Sequence, residues 1–296
     1  MPTQLPPQLS IGCFFPREDP RDALVVKPSH PYTSLATLPP GAVIGTSSVR
    51  RSAQLKRLYP HLEFADVRGN VGTRLAKLDA EDGVYTALVL AAAGLLRLGL
   101  ESRITSYLSK STGGILYAVG QGAIGIEVRS DDVAIKDLLA KVGCEKTTLA
   151  CLAERSLLRT LEGGCSVPIG VETEWVAKKT SLSTTVGSGV GLGAKPAADY
   201  DKMTGQAVSG RTGLEHSGEQ EKSGDEDTGE LIMRAIVVSL DGTQAVETES
   251  RRLIATRGEA DEFGWDVARK LVDAGAGKIL EDINLNRKIL EQDGNA

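Results

Sequence analysis

Residues 42–91 read AVIGTSSVRRSAQLKRLYPHLEFADVRGNVGTRLAKLDAEDGVYTALVLA. Ala42–Gly45 reads as the end of a strand, Ser48–Leu58 as a helix and Leu62–Val67 as a second strand. Thr73–Leu78 reads as a helix, and the wholly apolar Ala87–Ala91 as a buried strand. This alternation predicts an α/β unit, a parallel sheet with helices on both faces. Further along, Ile124–Val128 reads as a strand, and the helix Asp131–Val142 is expected to be capped by Asp131 or Ser130. A longer helix, Lys146–Leu161, gathers Leu149, Leu152, Ala153, Leu157 and Leu161 on one face and ends at Gly163-Gly164.

After Gly170 a small α+β unit is expected. Val171–Val176 opens it, and Leu231–Leu240 and Ala245–Ser250 flank an Asp241-Gly242 hairpin turn. The amphipathic stretch Glu259–Asp273 covers that sheet, with Trp175 and Trp265 in its core. Residues 178–230 are rich in Ser, Thr, Gly and acids, too poor in apolar side chains to offset chain ordering, and read as a disordered insertion.

Composition narrows the function. The chain has 296 residues with 41% hydrophobic content, enough for two or three cores. Its 34 basic and 39 acidic residues give a net −5, and residues 199–230 hold nine acids against three bases, so the remainder is close to neutral. That argues against a nucleic-acid partner, which needs concentrated positive charge. The longest apolar run, Ala87–Leu96, is too short for a membrane helix. Met1-Pro-Thr-Gln-Leu-Pro-Pro lacks the features of a signal peptide, so a cytoplasmic protein is expected. Cys13, Cys144, Cys151 and Cys165 form no CxxC pair and only three His accompany them, so neither a metal site nor a disulfide framework is expected.

One segment departs from neutrality. In residues 41–75, Arg50, Arg51, Lys56, Arg57, Arg68 and Arg74 face only Glu63 and Asp66. Gly45-Thr-Ser-Ser-Val-Arg-Arg51 places hydroxyls and two arginines where a strand hands over to a helix, whose free N–H groups favour an anion. Arg68-Gly-Asn-Val-Gly-Thr-Arg74 repeats the device at the next strand end. Turns at the carboxyl ends of neighbouring parallel strands open on one crevice, the usual ligand site of open α/β sheets. A single such turn is more often an ordinary helix cap with solvated arginines; two together favour a ligand bearing several carboxylates or phosphates. Asp66 reads as a solvated charge. Cys165, in Leu161-Glu-Gly-Gly-Cys-Ser-Val-Pro-Ile-Gly170, sits in a turn, although the commoner fate of a lone cysteine is a small buried hydrophobe.

Six ordered segments closely resemble the porphobilinogen deaminase, or hydroxymethylbilane synthase, family. They are Arg17-Glu-Asp-Pro-Arg-Asp-Ala23, the two arginine turns, Leu90-Ala-Ala-Ala-Gly-Leu-Leu-Arg97, Ala118-Val-Gly-Gln-Gly-Ala123 and Leu161–Gly170. The resemblance implies two periplasmic-binding-protein-like α/β domains plus a small C-terminal α+β domain. Residues 1–23 and 115–140 would belong to an incomplete first domain, 24–114 to the second, and 145–296 to the third. It implies a dipyrromethane cofactor joined to Cys165 through a thioether, on which four porphobilinogen units are condensed with loss of ammonia. Ser48, Arg50, Arg51, Arg68, Gly69, Arg74 and Arg97 would hold cofactor and substrate carboxylates, with Gln121 close by. No metal is implied, and the partners would be porphobilinogen and the growing polypyrrole, in a monomer. The family's His-Ser-x-Lys-Asp-x-Pro-Thr motif, whose Asp is the catalytic acid, aligns so that Asp precedes Met1. The sequence thus reads as an N-terminally truncated form with no catalytic acid of its own, expected not to turn over porphobilinogen. The alternative reading is a non-catalytic α/β module that binds polycarboxylate anions.

Overall fold

The computed structural model describes residues 4–161, 167–177 and 227–293. Its elements in chain order are β1 (Leu9–Phe14), β2 (Asp22–Val26), β3 (Val43–Gly45), α1 (Val49–Leu58), β4 (Glu63–Ala65), α2 (Val71–Asp79), β5 (Ala87–Ala91), α3 (Ala92–Arg97) and β6 (Ser106–Leu108). There follow β7 (Gly125–Arg129), α4 (Val133–Ala140), α5 (Glu145–Thr160), β8 (Ile169–Ala177), β9 (Asp227–Val238), β10 (Ala245–Leu253), α6 (Arg257–Leu271) and α7 (Gly277–Asp293). The architecture is mixed α/β.

The stretch quoted above forms most of a five-stranded sheet of order β4-β3-β5-β2-β6. Strand β3 runs parallel to β4 and β5, as expected, whereas β2 lies antiparallel between β5 and β6. The parallel arrangement expected for the strands of residues 42–91 is present, and β2, which the sequence reading did not identify, adds an antiparallel strand to it. Residues 27–42, which join β2 to β3, hold only a short 3-10 turn and no crossover helix of the kind that parallel strands need. Both faces are covered, and the two-residue period shows it. Leu24, Val26, Ala87 and Val89 point into one core, and Ala23, Val25, Leu88 and Leu90 into the other. Burying each such Leu or Val stabilises by about 1.5–3 kcal/mol relative to exposure.

Strand β1 pairs antiparallel with β7, from Leu9 opposite Arg129 to Phe14 opposite Gly125. Helix α4 follows. It starts at Val133 and is capped by Asp132, whose carboxylate accepts from Ile135 N at 3.1 Å, not by Asp131 or Ser130. Ser130 N instead donates to Gln8 O, which extends the pairing one residue beyond Leu9 and Arg129.

The C-terminal sheet, β10-β9-β8, is antiparallel where β9 meets β10, and its core packs against α5 and α6. The expected insertion at 178–230 lies outside the described residues except for its end, because Asp227–Glu230 already belongs to β9 and Glu230 stands opposite Leu253. The Asp241-Gly242 turn is present, with Gly242 at φ +81. At Gly264 a Cβ would sit 2.0 Å from Ala153 O, so only glycine permits this approach of α6 to α5. Trp175 packs against the core, but Trp265 is half exposed beneath Arg269 and is not a core residue. It projects from the solvent side of α6, where the guanidinium shields one face of its ring.

Candidate active site

The first arginine turn links β3 to α1. Thr46 N donates to Ala65 O at 2.9 Å and Ser47 Oγ to Val67 O at 2.8 Å, which ties the turn to the end of β4. Ser48 is the N-cap of α1, accepting from Arg51 N at 3.4 Å. Arg50 and Arg51 do not extend into solvent; both are buried against Asp22, itself wholly inaccessible. Arg50 Nη1 donates to Asp22 Oδ2 at 2.8 Å and to Leu116 O at 2.6 Å. Arg51 Nε donates to Asp22 Oδ1 at 2.9 Å and its Nη1 to Val89 O at 3.0 Å. Gln121 closes the cluster, with Nε2 on Pro20 O at 2.7 Å and Asp22 Oδ1 at 2.9 Å, and Oε1 3.4 Å from Arg50 Nη2.

Burial alone pushes the Asp22 carboxyl up. The two guanidinium charges and their hydrogen bonds more than reverse that and hold it at about 2. The cluster keeps one net positive charge. Arg50 Nε is buried there without a hydrogen-bond partner among the described residues, one of few such atoms.

The second turn links β4 to α2. Gly69, at φ +118, lets the chain reverse. Asn70 caps α2 by accepting from Thr73 N at 2.8 Å. Arg74 Nε donates to Gly69 O at 2.8 Å, while the exposed Arg68 stands 3.4 Å from the equally exposed Asp66. That pair is worth little in solvent, so Arg68 is available to a stronger partner. Arg97 ends α3, the helix after β5, and its Nη2 donates to Gly122 O at 2.7 Å. The turns after β3, β4 and β5 share the carboxyl edge of their parallel strands. Arg50, Arg51 and Gln121 are thus gathered around Asp22 while Ser48 caps their helix, Arg97 reaches the adjoining Gly122, and Arg68, Gly69 and Arg74 form the neighbouring turn. Cys165 lies outside the described residues.

Sequence reasoning missed the groups that hold this edge together. Asp22 is the first residue of an otherwise apolar strand, and an acid at such a place was the available signal. Behind it, Glu154 of α5 is wholly buried and accepts from Arg17 Nη1 at 2.6 Å, Thr173 Oγ1 at 2.7 Å and Gly120 N at 2.7 Å. Arg17 Nε donates to Gln121 O at 2.9 Å, so a buried ion pair grips the Gly120-Gln121 turn from both sides. Among the described residues no group of three or more His, Cys, Asp or Glu is placed to hold a metal, and no helix is long and apolar enough to cross a membrane.

Comparison with known proteins bears on this edge directly. Residues 1–137 match the family profile described as porphobilinogen deaminase, dipyromethane cofactor binding domain, and residues 148–197 match its C-terminal domain. A porphobilinogen deaminase of Yarrowia lipolytica is 45% identical over 96% of this chain and 69% of its own length. The chain belongs to the porphobilinogen deaminase family. Relatives in the family include the porphobilinogen deaminases of Candida albicans, 42% identical over 98% of this chain and 69% of that protein, and of Saccharomyces cerevisiae, 41% identical over 97% and 72%. The donor set suits the family's dipyrromethane. Its carboxylate arms call for cationic forks, and Arg68, Arg74 and Arg97 each keep guanidinium donors free of the contacts just described.

Proposed function

We propose that this chain acts as a hydroxymethylbilane synthase, condensing porphobilinogen with loss of ammonia on a dipyrromethane carried by Cys165. The observation that carries the reading is the cationic edge, where the arginine turns after β3 and β4 and Arg97 after β5 stand at the carboxyl ends of neighbouring parallel strands in a chain of this family. When bound, the dipyrromethane supplies the pyrrole carbon to which substrate is added. The chain's own residues bind and orient. Arg68, Arg74 and Arg97 hold acetate and propionate groups in bidentate fashion, and the net positive charge of Arg50, Arg51 and Asp22 favours carboxylates at the helix start. Ser48, Gly69 and Gln121 shape the edge. Residues 24–114, together with Asp22 and Ala23 that begin β2, form one α/β domain, the rest of 1–23 with 115–140 part of another, both of the periplasmic-binding-protein kind, and 145–296 the C-terminal domain. The protein works as a cytoplasmic monomer.

A second reading, a non-catalytic module that binds polycarboxylates, draws support from one fact. The family's His-Ser-x-Lys-Asp-x-Pro-Thr motif does not occur within residues 1–296, so no proton-transfer role is assigned to any residue here. Incubation with porphobilinogen separates the two. Ammonia release with a pyrrole adduct on Cys165, seen by intact mass and lost in Cys165→Ser, supports the synthase; tight binding without either supports the module. Both readings require that Arg68→Lys, Arg74→Lys and Arg97→Lys weaken porphobilinogen binding, by on the order of tenfold each for a lost charge-assisted hydrogen bond. Unchanged affinity in all three overturns the assignment of the edge.

A further inference from the structure

Helix α1 carries the first arginine turn, and its far side rests on the C-terminal sheet. Gln54 lies one turn beyond Arg50 on the same helix face and is 1% exposed. Its Nε2 donates to Leu116 O at 3.0 Å and its Oε1 accepts from Leu116 N at 2.8 Å, so the side-chain amide satisfies that residue's backbone as a neighbouring strand would. Leu116 O is the same atom that accepts from Arg50 Nη1 at 2.6 Å. The next residue, Tyr117, bridges antiparallel to Val171 of β8, whose N–H donates to Tyr117 O at 2.8 Å. β8 also closes the space behind the amide, because a Cβ at Gly170 would come within 2.7 Å of Gln54 Nε2 and 2.9 Å of Leu116 Cβ.

A second contact meets α1 from the β9–β10 hairpin. Gly242 turns the chain at φ +81, and a Cβ there would stand 2.9 Å from both Ala53 O and Arg57 N. Ala53 and Leu116 pack in one buried cluster with Ile236 and Val238 of β9. The body of α1 is thus seated on the C-terminal sheet, while its start opens on the cationic edge. Donors that grip a carboxylate must stand within about 0.5 Å of their productive places, and that precision comes from the packing behind them. We propose that Gln54 and Gly242 are positioning residues, through which the C-terminal sheet sets the placement of α1 and with it the carboxylate-binding geometry of the arginine turn. This rests on the edge being the porphobilinogen site.

Gln54→Met keeps the length of the side chain and removes both hydrogen bonds. Gly242→Ala drives a Cβ against the backbone of α1 and serves if the first variant folds poorly. Gly229→Ala is the control, because at φ +74 it bears comparable backbone strain with nothing within 4 Å of the added Cβ. Two measurements are made on the full chain: porphobilinogen affinity by calorimetry, and nitrogen NMR of the Arg50 Nη protons, which the bonds from Nη1 to Asp22 and Leu116 shield from solvent exchange. The expected result is that Gln54→Met and Gly242→Ala weaken porphobilinogen binding on the order of tenfold and release the Arg50 protons to exchange, while Gly229→Ala lowers the Tm and changes neither. Arg50 protons that stay protected in both variants overturn the proposal, as does an equal loss of affinity in Gly229→Ala. Unchanged affinity in both variants when Arg68→Lys weakens binding overturns it too. Failure of the edge assignment shows separately, as Arg50 protons released while affinity is unchanged in these variants and in Arg68→Lys, Arg74→Lys and Arg97→Lys.

Discussion

Replacing Asp22 by Asn tests whether its carboxylate is the internal counterion of the cationic edge. Asp22 is wholly buried between Arg50 and Arg51, each less than a tenth exposed. Asn offers one acceptor where the carboxylate offers two, and its amide group would face donors from Arg50, Arg51 and Gln121. Removing one partner of a buried ion pair costs about 3–5 kcal/mol, because the other charge stays buried and uncompensated. Part of that depends on pH in a calculable way. The folded carboxyl titrates at about 2 against 3.8 for an unperturbed Asp, which converts to roughly 2–3 kcal/mol at 1.36 kcal/mol per pH unit. Because the folded value is depressed, this stability is fully present above pH 4 to 5 and is lost as pH falls toward 2. Urea denaturation of both proteins by circular dichroism should therefore show Asp22→Asn destabilised by about 3–5 kcal/mol at pH 7. The gap should narrow by roughly 1 kcal/mol between pH 5 and pH 3. A variant within about 1 kcal/mol of the parent at pH 7, or a gap that stays constant with pH, would refute the counterion role.

Glu154→Gln should cost a similar 3–5 kcal/mol through the orphaned Arg17, and hydrogen exchange should accelerate at Gly120 N, which Glu154 now holds at 2.7 Å; unchanged exchange there would disconnect the ion pair from the turn. Gly264→Ala forces a Cβ to 2.0 Å from Ala153 O, so a loss of about 1–3 kcal/mol or more is expected in thermal melts, and a neutral result would mean that α5 and α6 are less closely packed than described. Of Cys13, Cys144 and Cys151, iodoacetamide at pH 8 should label Cys144 first, because Cys13 is buried and burial pushes the Cys151 thiol up to about 12. Peptide mapping that finds Cys151 modified ahead of Cys144 contradicts this.

Much of the domain around β3, β4 and β5 was readable from residues 42–91, because local periodicity and helix-start chemistry act within a few residues. The ends moved slightly. Leu62–Val67 shrinks to Glu63–Ala65, and Thr73–Leu78 grows to Val71–Asp79 once Asn70 is seen as its cap. What periodicity could not reveal was long-range. The antiparallel insertion of β2 depends on partners at residues 87–91 and 106–108, and no local pattern encodes direction. The arginine turns were visible, yet the burial of Arg50 and Arg51 was not, since a guanidinium looks the same in sequence whether its counterion comes from solvent or from Asp22. The pairing of Arg17 with Glu154 crosses 137 residues and left no trace in spacing. Trp265 was misplaced because an aromatic residue in an amphipathic helix reads as core by default.

The order of strands sets a schedule on the ribosome. β1 pairs with residues 125–129, β2 with residues 87–91 and 106–108, and Arg17 with Glu154. Translation at about 5–20 residues per second delivers these partners several seconds after residues 9–26 leave the exit tunnel. Throughout that interval Leu24, Val25 and Val26, buried in the finished sheet, have no strand to join. Residues 9–26, made before their partners, are thus among the last to be secured. A ribosome stalled before residue 87 would display an unpaired apolar strand.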